Sequence, residues 1–115
     1  MFNQELGALS RLLEVSSLRH QVICNNLANL NTPGFQRKQV EFETILDKAS
    51  LGESVRQTTP RIVTESDNGR LDDNSVVLEQ EVQSLNSNNL MHQVYWQAMS
   101  SKIKGLEAAI TGKVM

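Results

Sequence analysis

Apolar residues cluster at the two ends of this chain and follow helical periods there. Leu6, Leu9, Leu13, Ile23, Leu27 and Leu30 form one broad stripe, and Ala8, Leu12, Val15, Leu18 and Val22 widen it onto a second face. Ser10, Glu14, Ser17, Gln21 and Asn25 recur every three or four residues and fill the polar wedge that remains. The pattern predicts a helix over about 4–30. Pairing with a single helix needs only a narrow seam. The surplus apolar width therefore implies more than one neighbour.

The second pattern is a cleaner heptad. Leu78, Val82, Leu85, Asn89, His92, Trp96, Met99, Ile103, Leu106 and Ile110 alternate at spacings of four and three. They predict a helix over about 77–111, roughly 50 Å long at 1.5 Å per residue. Asn89 and His92 are the polar interruptions of this seam and read as register-setting groups or a locally wet patch. Trp96 reads as a seam residue in the core, while Tyr95 faces another direction and is a candidate for intersubunit contact.

The expected fold is all-α. Long terminal helices pair as an antiparallel α-hairpin or coiled coil within a single domain, 1–115, joined by a largely irregular connector over about 31–76 with at most a small β-hairpin. The helix-pairing seam is expected to comprise Leu6, Leu9, Leu13, Ile23 and Leu27 on one side, and Leu85, Trp96, Met99, Ile103, Leu106 and Ile110 on the other. The connector begins at a dense stop signal, Asn26-Leu27-Ala28-Asn29-Leu30-Asn31-Thr32-Pro33-Gly34-Phe35. Asparagine suits a helix end, and Thr32 is pushed toward extended geometry by the proline after it. Pro33-Gly34 fits the centre of a type II turn, whose second central residue needs positive φ. Beyond it, Glu41–Leu51 reads as a short helix with Phe42, Ile45, Leu46 and Ala49 on one side. Gly52–Ser75 is polar and weakly patterned. Within it Thr58-Thr59-Pro60 reads as extended, Arg61–Thr64 as a short strand and Asp67-Asn68-Gly69 as a tight turn. A lone hairpin is marginal in water, so neighbours are expected to order this segment.

Charge and chemistry narrow the function classes. A net charge of −2, from 11 basic and 13 acidic residues, gives no basic footprint for nucleic acid. Arg37-Lys38 is the only adjacent basic pair and reads as a solvated loop. The single cysteine, Cys24, allows no intramolecular disulfide and reads as a small buried hydrophobe. No apolar run is long enough to span a membrane, and the first residues lack a secretory pattern. The glycines are dispersed, and neither HExxH nor CxxC occurs. His20 and His92 could meet if the helices pair, but two histidines make no site. Glu79 and Glu81 read as first-turn charges favoured by the helix dipole, and Asp72-Asp73 as loop and helix-start charge. No catalytic, metal or cofactor-binding residue is expected, and no small-molecule substrate.

The stop signal carries a resemblance. Asn26-Leu27-Ala28-Asn29 followed by Asn31-Thr32-Pro33-Gly34-Phe35 resembles the signature of the bacterial flagellar rod and hook protein family. Gln36–Glu43 continues it, and Asn74–Val82 with Leu90–Ile110 resembles that family's C-terminal helix and its start. Two positions depart from the pattern: Gln36 stands where a basic residue is usual, and Val77 where an aspartate is common. Ser75 or Asn74 then becomes the expected helix cap. The short connector is similar to that of the proximal-rod members. The resemblance implies a structural, non-enzymatic subunit of the rod, the axle that carries torque from motor to hook. It implies type III export without a cleaved signal, and assembly in the periplasm with copies of itself, other rod proteins, the rod–ring adapter and the export gate, without insertion into the membrane. It makes Asn26, Ala28, Asn29, Thr32, Pro33, Gly34, Phe35 and Phe42 the motif and subunit-contact candidates. Alternatives are another small rod subunit, a helical adaptor or export chaperone, and, last, an enzyme.

Overall fold

A computed structural model describes residues 2–43, 57–64 and 76–112. Two long helices dominate it, α1 (Phe2–Ala28) and α2 (Leu78–Thr111). Between them in sequence lie two four-residue strands, β1 (Lys38–Glu41) and β2 (Arg61–Thr64). The helices run antiparallel: Asn26 meets Glu81, Ser16 meets Asn88 and His92, and Glu5 pairs with Lys102. In each of these pairs the two residue numbers add to nearly the same sum, so the last turn of α2 projects beyond the start of α1. The molecule measures 64 × 27 × 14 Å with a radius of gyration of 17.9 Å. A compact chain of this length would have about 13 Å. It is a flat rod, and most of its surface lies along its sides.

The expected strand at Arg61–Thr64 is present, and its partner is Lys38–Glu41. The two pair antiparallel in the register Lys38↔Thr64 to Glu41↔Arg61. Arg61 and Glu41, directly opposite, form an ion pair at 2.6 Å, the favoured arrangement for a cross-strand charge pair. A two-stranded ribbon needs support, and β1 obtains it from α1. Val40 and Phe42 pack with Val15 and Val22, flanked by Leu12 and Leu18. Phe42 is fully buried, which contributes about 2–3 kcal/mol for such a side chain. The helix expected over Glu41–Leu51 begins later than its sequence pattern suggests, because Glu41 closes β1; beyond Glu43 it lies outside the described residues. So do the tight turn at Asp67-Asn68-Gly69 and the caps proposed at Asn74 and Ser75.

The ends of α2 contrast. Gly112 stops it in the left-handed conformation, φ 74°, with its N–H donating to the Ala108 carbonyl. At the start, Val77 occupies the N-cap without a side-chain hydrogen bond, and only its carbonyl is used, accepting from the Glu81 N–H at 3.0 Å. Replacing Val77 by serine supplies the missing acceptor. It is expected to stabilise the fold by about 1 kcal/mol, read as a rise in the thermal midpoint of a few degrees.

Candidate functional site

The junction after α1 is built from the backbone up. The Phe35 N–H donates to the Thr32 carbonyl at 3.2 Å, and Gly34 sits at φ 76°. That is the reverse turn the Pro33-Gly34 pair predicts, and a residue with a side chain would be strained at Gly34. Thr32 is tied back twice to Asn29: its N–H donates to the Asn29 carbonyl and its hydroxyl to Asn29 Oδ1, both at 3.1 Å. Asn29 Nδ2 in turn donates to the Asn25 carbonyl at 2.8 Å. Pro33 and Gly34 are exposed and Phe35 is half-buried, with Lys38 Nζ 5.9 Å from its ring centroid.

Below this turn lies a buried polar clamp. Asn26 offers its amide to the start of β1 as a neighbouring strand would. Its Nδ2 donates to the Lys38 carbonyl at 2.7 Å, and its Oδ1 accepts from the Lys38 N–H at 3.0 Å. Nδ2 also donates to Glu81 Oε2 at 3.1 Å, and Glu81 Oε1 accepts from Arg37 Nε. Asn26 and Glu81 are fully buried and Arg37 nearly so. The clamp thus joins α1, β1 and α2 at one point. Burial of such groups is tolerated because each is bonded. Arg37 is therefore no solvated loop residue, and Glu81 no exposed first-turn charge. The signal that could have found them is the pairing of opposite charges at the foot of each element next to an asparagine that no helix stop requires.

Further along, α2 meets α1 through a run of polar residues seven apart: Glu81, Asn88, Tyr95 and Lys102. Asn88 is buried, and its Nδ2 donates to the Ser16 carbonyl at 2.7 Å. Ser16 Oγ donates to the Leu13 carbonyl at 2.8 Å and lies 2.6 Å from His92 Nδ1. Ser16 Oγ therefore links the Leu13 carbonyl and the His92 ring, with the direction of the second bond set by the histidine tautomer. Tyr95 is half-buried beside Arg19 and Glu43, and burial raises its pKa above the ordinary value, with the nearby Glu43 charge adding to the effect. Lys102 pairs with Glu5.

Arg19 binds Glu43 through both carboxylate oxygens and also donates to the Val40 carbonyl at 3.2 Å. The hydrogen bond from Arg19 holds the Glu43 carboxyl below its ordinary value of 4.5, against opposing desolvation. A depressed folded pKa means stability that is present above 4.5 and lost as pH falls through the lower folded value. Glu43→Gln is therefore expected to lower the melting temperature at neutral pH. The gap to the wild type should close in acid, measured as melting temperature against pH.

The expected seam is corrected at several points. Trp96, Ile103 and Ile110 are 58%, 50% and 77% exposed, and Leu78 and Val82 are exposed as well. Leu85, Met99 and Leu106 are half-buried. α2 is thus turned so that its apolar stripe faces outward and its polar run faces α1. Tyr95 and Trp96 exchange the roles their spacing suggests. The asparagine in the helix contact is Asn88, while Asn89 is exposed; His92 meets Ser16, and His20 lies exposed. On α1, Ile23 is buried, Leu6, Leu9, Leu13 and Leu27 are half-buried, and Ala28 is exposed. Cys24 is exposed rather than buried, because it lies on the side of α1 away from Val22 and Ile23. Phe42 is enclosed in its own subunit's core, so it is unavailable as an intersubunit anchor. Leu78, Val82 and Leu90 line a shallow apolar depression at one end of the outward stripe.

Among the described residues no cluster of histidine, cysteine or carboxylate could hold a metal ion, and no helix is long and apolar enough to cross a membrane. The outward stripe of α2 offers a face for contact. Comparison with known proteins points the same way. The family described as flagella basal body rod protein matches residues 16–36, the stretch holding the Ser16 contact, the clamp asparagine and the turn. The flagellar basal body rod protein FlgB of Aeromonas hydrophila is 30% identical, over 97% of this chain and 96% of its own length. FlgB of Bacillus subtilis (strain 168) is 26% identical over 97% of each chain. FlgB of Borreliella burgdorferi is 44% identical over 45% of this chain and 38% of its own.

Proposed function

The chain belongs to the FlgB family of flagellar basal-body rod proteins, and from that premise we propose that it is a structural subunit of the proximal rod, part of the axle carrying torque from motor to hook. The observation that supports this most is the outward apolar stripe of α2 on a flat, elongated subunit. Isolated surface hydrophobes are ordinary, but a row of them at helical spacing on one face marks a contact surface. Heterologous contacts that do not close generate a helical assembly, which is what an axle requires. In this reading the polar clamp fixes the shape of the subunit, the apolar stripe joins it to neighbours, and the turn at Thr32–Phe35 presents Phe35 to the next subunit. The whole chain acts as one rod-type domain.

The neighbours proposed are further copies of the chain, other rod proteins, the rod–ring adapter and the export gate. Export proceeds through the flagellar type III apparatus. The role is mechanical, with no substrate and no cofactor. Deletion of the gene should abolish swimming, and the tagged protein should co-fractionate with purified basal bodies. A chaperone or adaptor would stay in the soluble fraction; recovery there alone contradicts the proposal.

A further inference from the structure

α2 carries two possible seams for α1, and the structure uses the less apolar one. Leu85, His92, Met99 and Leu106, seven apart and half-buried, belong to both. On one side of this shared row stand Glu81, Asn88, Tyr95 and Lys102; on the other stand Val82, Asn89, Trp96, Ile103 and Ile110. Turning α2 about its own axis by roughly 50°, at about 100° per residue, would exchange the first flank for the second. Hydrophobic burial alone favours that turn, because it would cover Val82, Trp96 and Ile103, all exposed now. Something outweighs it.

We infer that the polar contacts between Asn26 and Glu81 and between Ser16 and Asn88 act as a rotational latch, holding α2 on its polar seam so that its apolar stripe stays outside the subunit. Each contact ties a buried or fully buried side chain on α2 to a group on α1 that the turned helix would abandon. Turning would carry Glu81 and Asn88 toward solvent, break their bonds to α1, and part the nearly buried Arg37 from the carboxylate it binds. Unmet buried polar groups are penalised more heavily than a made hydrogen bond is rewarded, so the latch discriminates between seams without adding much to stability. A buried asparagine that sets register in a coiled coil works by the same asymmetry. The latch is a property of the isolated subunit and does not depend on what later covers the stripe.

Trp96, the sole tryptophan, reports the rotation directly. In the full chain, held monomeric by dilution and verified by sedimentation, its emission should be that of a solvent-exposed indole, readily quenched by iodide. The double variant Asn26→Leu/Asn88→Ala removes both the Asn26–Glu81 contact and the bond from Asn88 to the Ser16 backbone carbonyl. It should retain helical circular dichroism while Trp96 emission shifts to the blue and quenching falls severalfold. Asn88→Leu makes the existing seam more apolar, so it should raise the melting temperature and leave Trp96 exposed. A helical wild-type monomer with a buried Trp96, or a wild-type monomer without helix, overturns the latch. So does a helical double variant with unchanged emission. If the double variant loses its helices, Asn88→Leu decides: a lowered melting temperature or a blue shift overturns the latch, and a raised one with Trp96 exposed supports it.

Discussion

Arg37→Ala is expected to cost the subunit about 3–5 kcal/mol, the usual penalty for removing one partner of a buried ion pair. Arg37 is buried and bonded to a fully buried Glu81 carboxylate that also accepts from Asn26. Without the guanidinium that carboxylate stays buried after losing its charge partner. Against a total stability of about 5–15 kcal/mol for a domain of ordinary size, the loss is a large fraction, and urea denaturation should show it as a lower midpoint with an unchanged slope. The double variant Arg37→Met/Glu81→Leu should recover most of it, since a packed apolar pair replaces the ions at similar volume. Recovery would identify the clamp as a device for specificity. A single Arg37→Ala variant as stable as the wild type would mean the pair is not buried in solution.

Ile103→Asp should do the reverse: leave the subunit folded and abolish motility. Ile103 is half exposed on the outward stripe, so the charge remains hydrated in the free chain, and the change in stability should stay within about 0.5 kcal/mol. In the proposed assembly the same position faces a neighbour, where an unpaired buried carboxylate is incompatible with tight packing. The protein should accumulate normally, be absent from purified basal bodies and give non-swimming cells. Normal swimming would show that the stripe takes no part in assembly.

The contrast between these two variants shows what the sequence could and could not say. Periodicity located both long helices within two residues at each described end, because amphipathic patterns that long have few competing explanations. The turn was legible in Thr32-Pro33-Gly34, where φ requirements leave little choice. Arg61–Thr64 was legible as a strand, but its partner was hidden, since Lys38–Glu41 carries only Val40 as an inward apolar residue. The orientation of α2 is not legible in its spacing, because an apolar stripe marks a face for burial without saying what covers it. In a subunit meant for assembly, the most apolar face can belong to a neighbour, and the intrachain contact then falls to polar residues such as Glu81 and Asn88. Their role depends on partners far away in sequence, Asn26 and Ser16, and no local pattern records that. The exposure of Cys24 is hidden for a related reason: a very broad stripe does not say where its edge lies.

The proposed assembly requires that the apolar stripe of α2 be open in the free subunit and covered in the rod. Cysteine labelling tests it most directly, using Ile103→Cys in a Cys24→Ser background that swims. Free subunit should react with a maleimide at the rate of an exposed thiol, and the same position in purified basal bodies should be protected by an order of magnitude or more. Equal labelling in the two states, or protection already in the free monomer, would contradict the account.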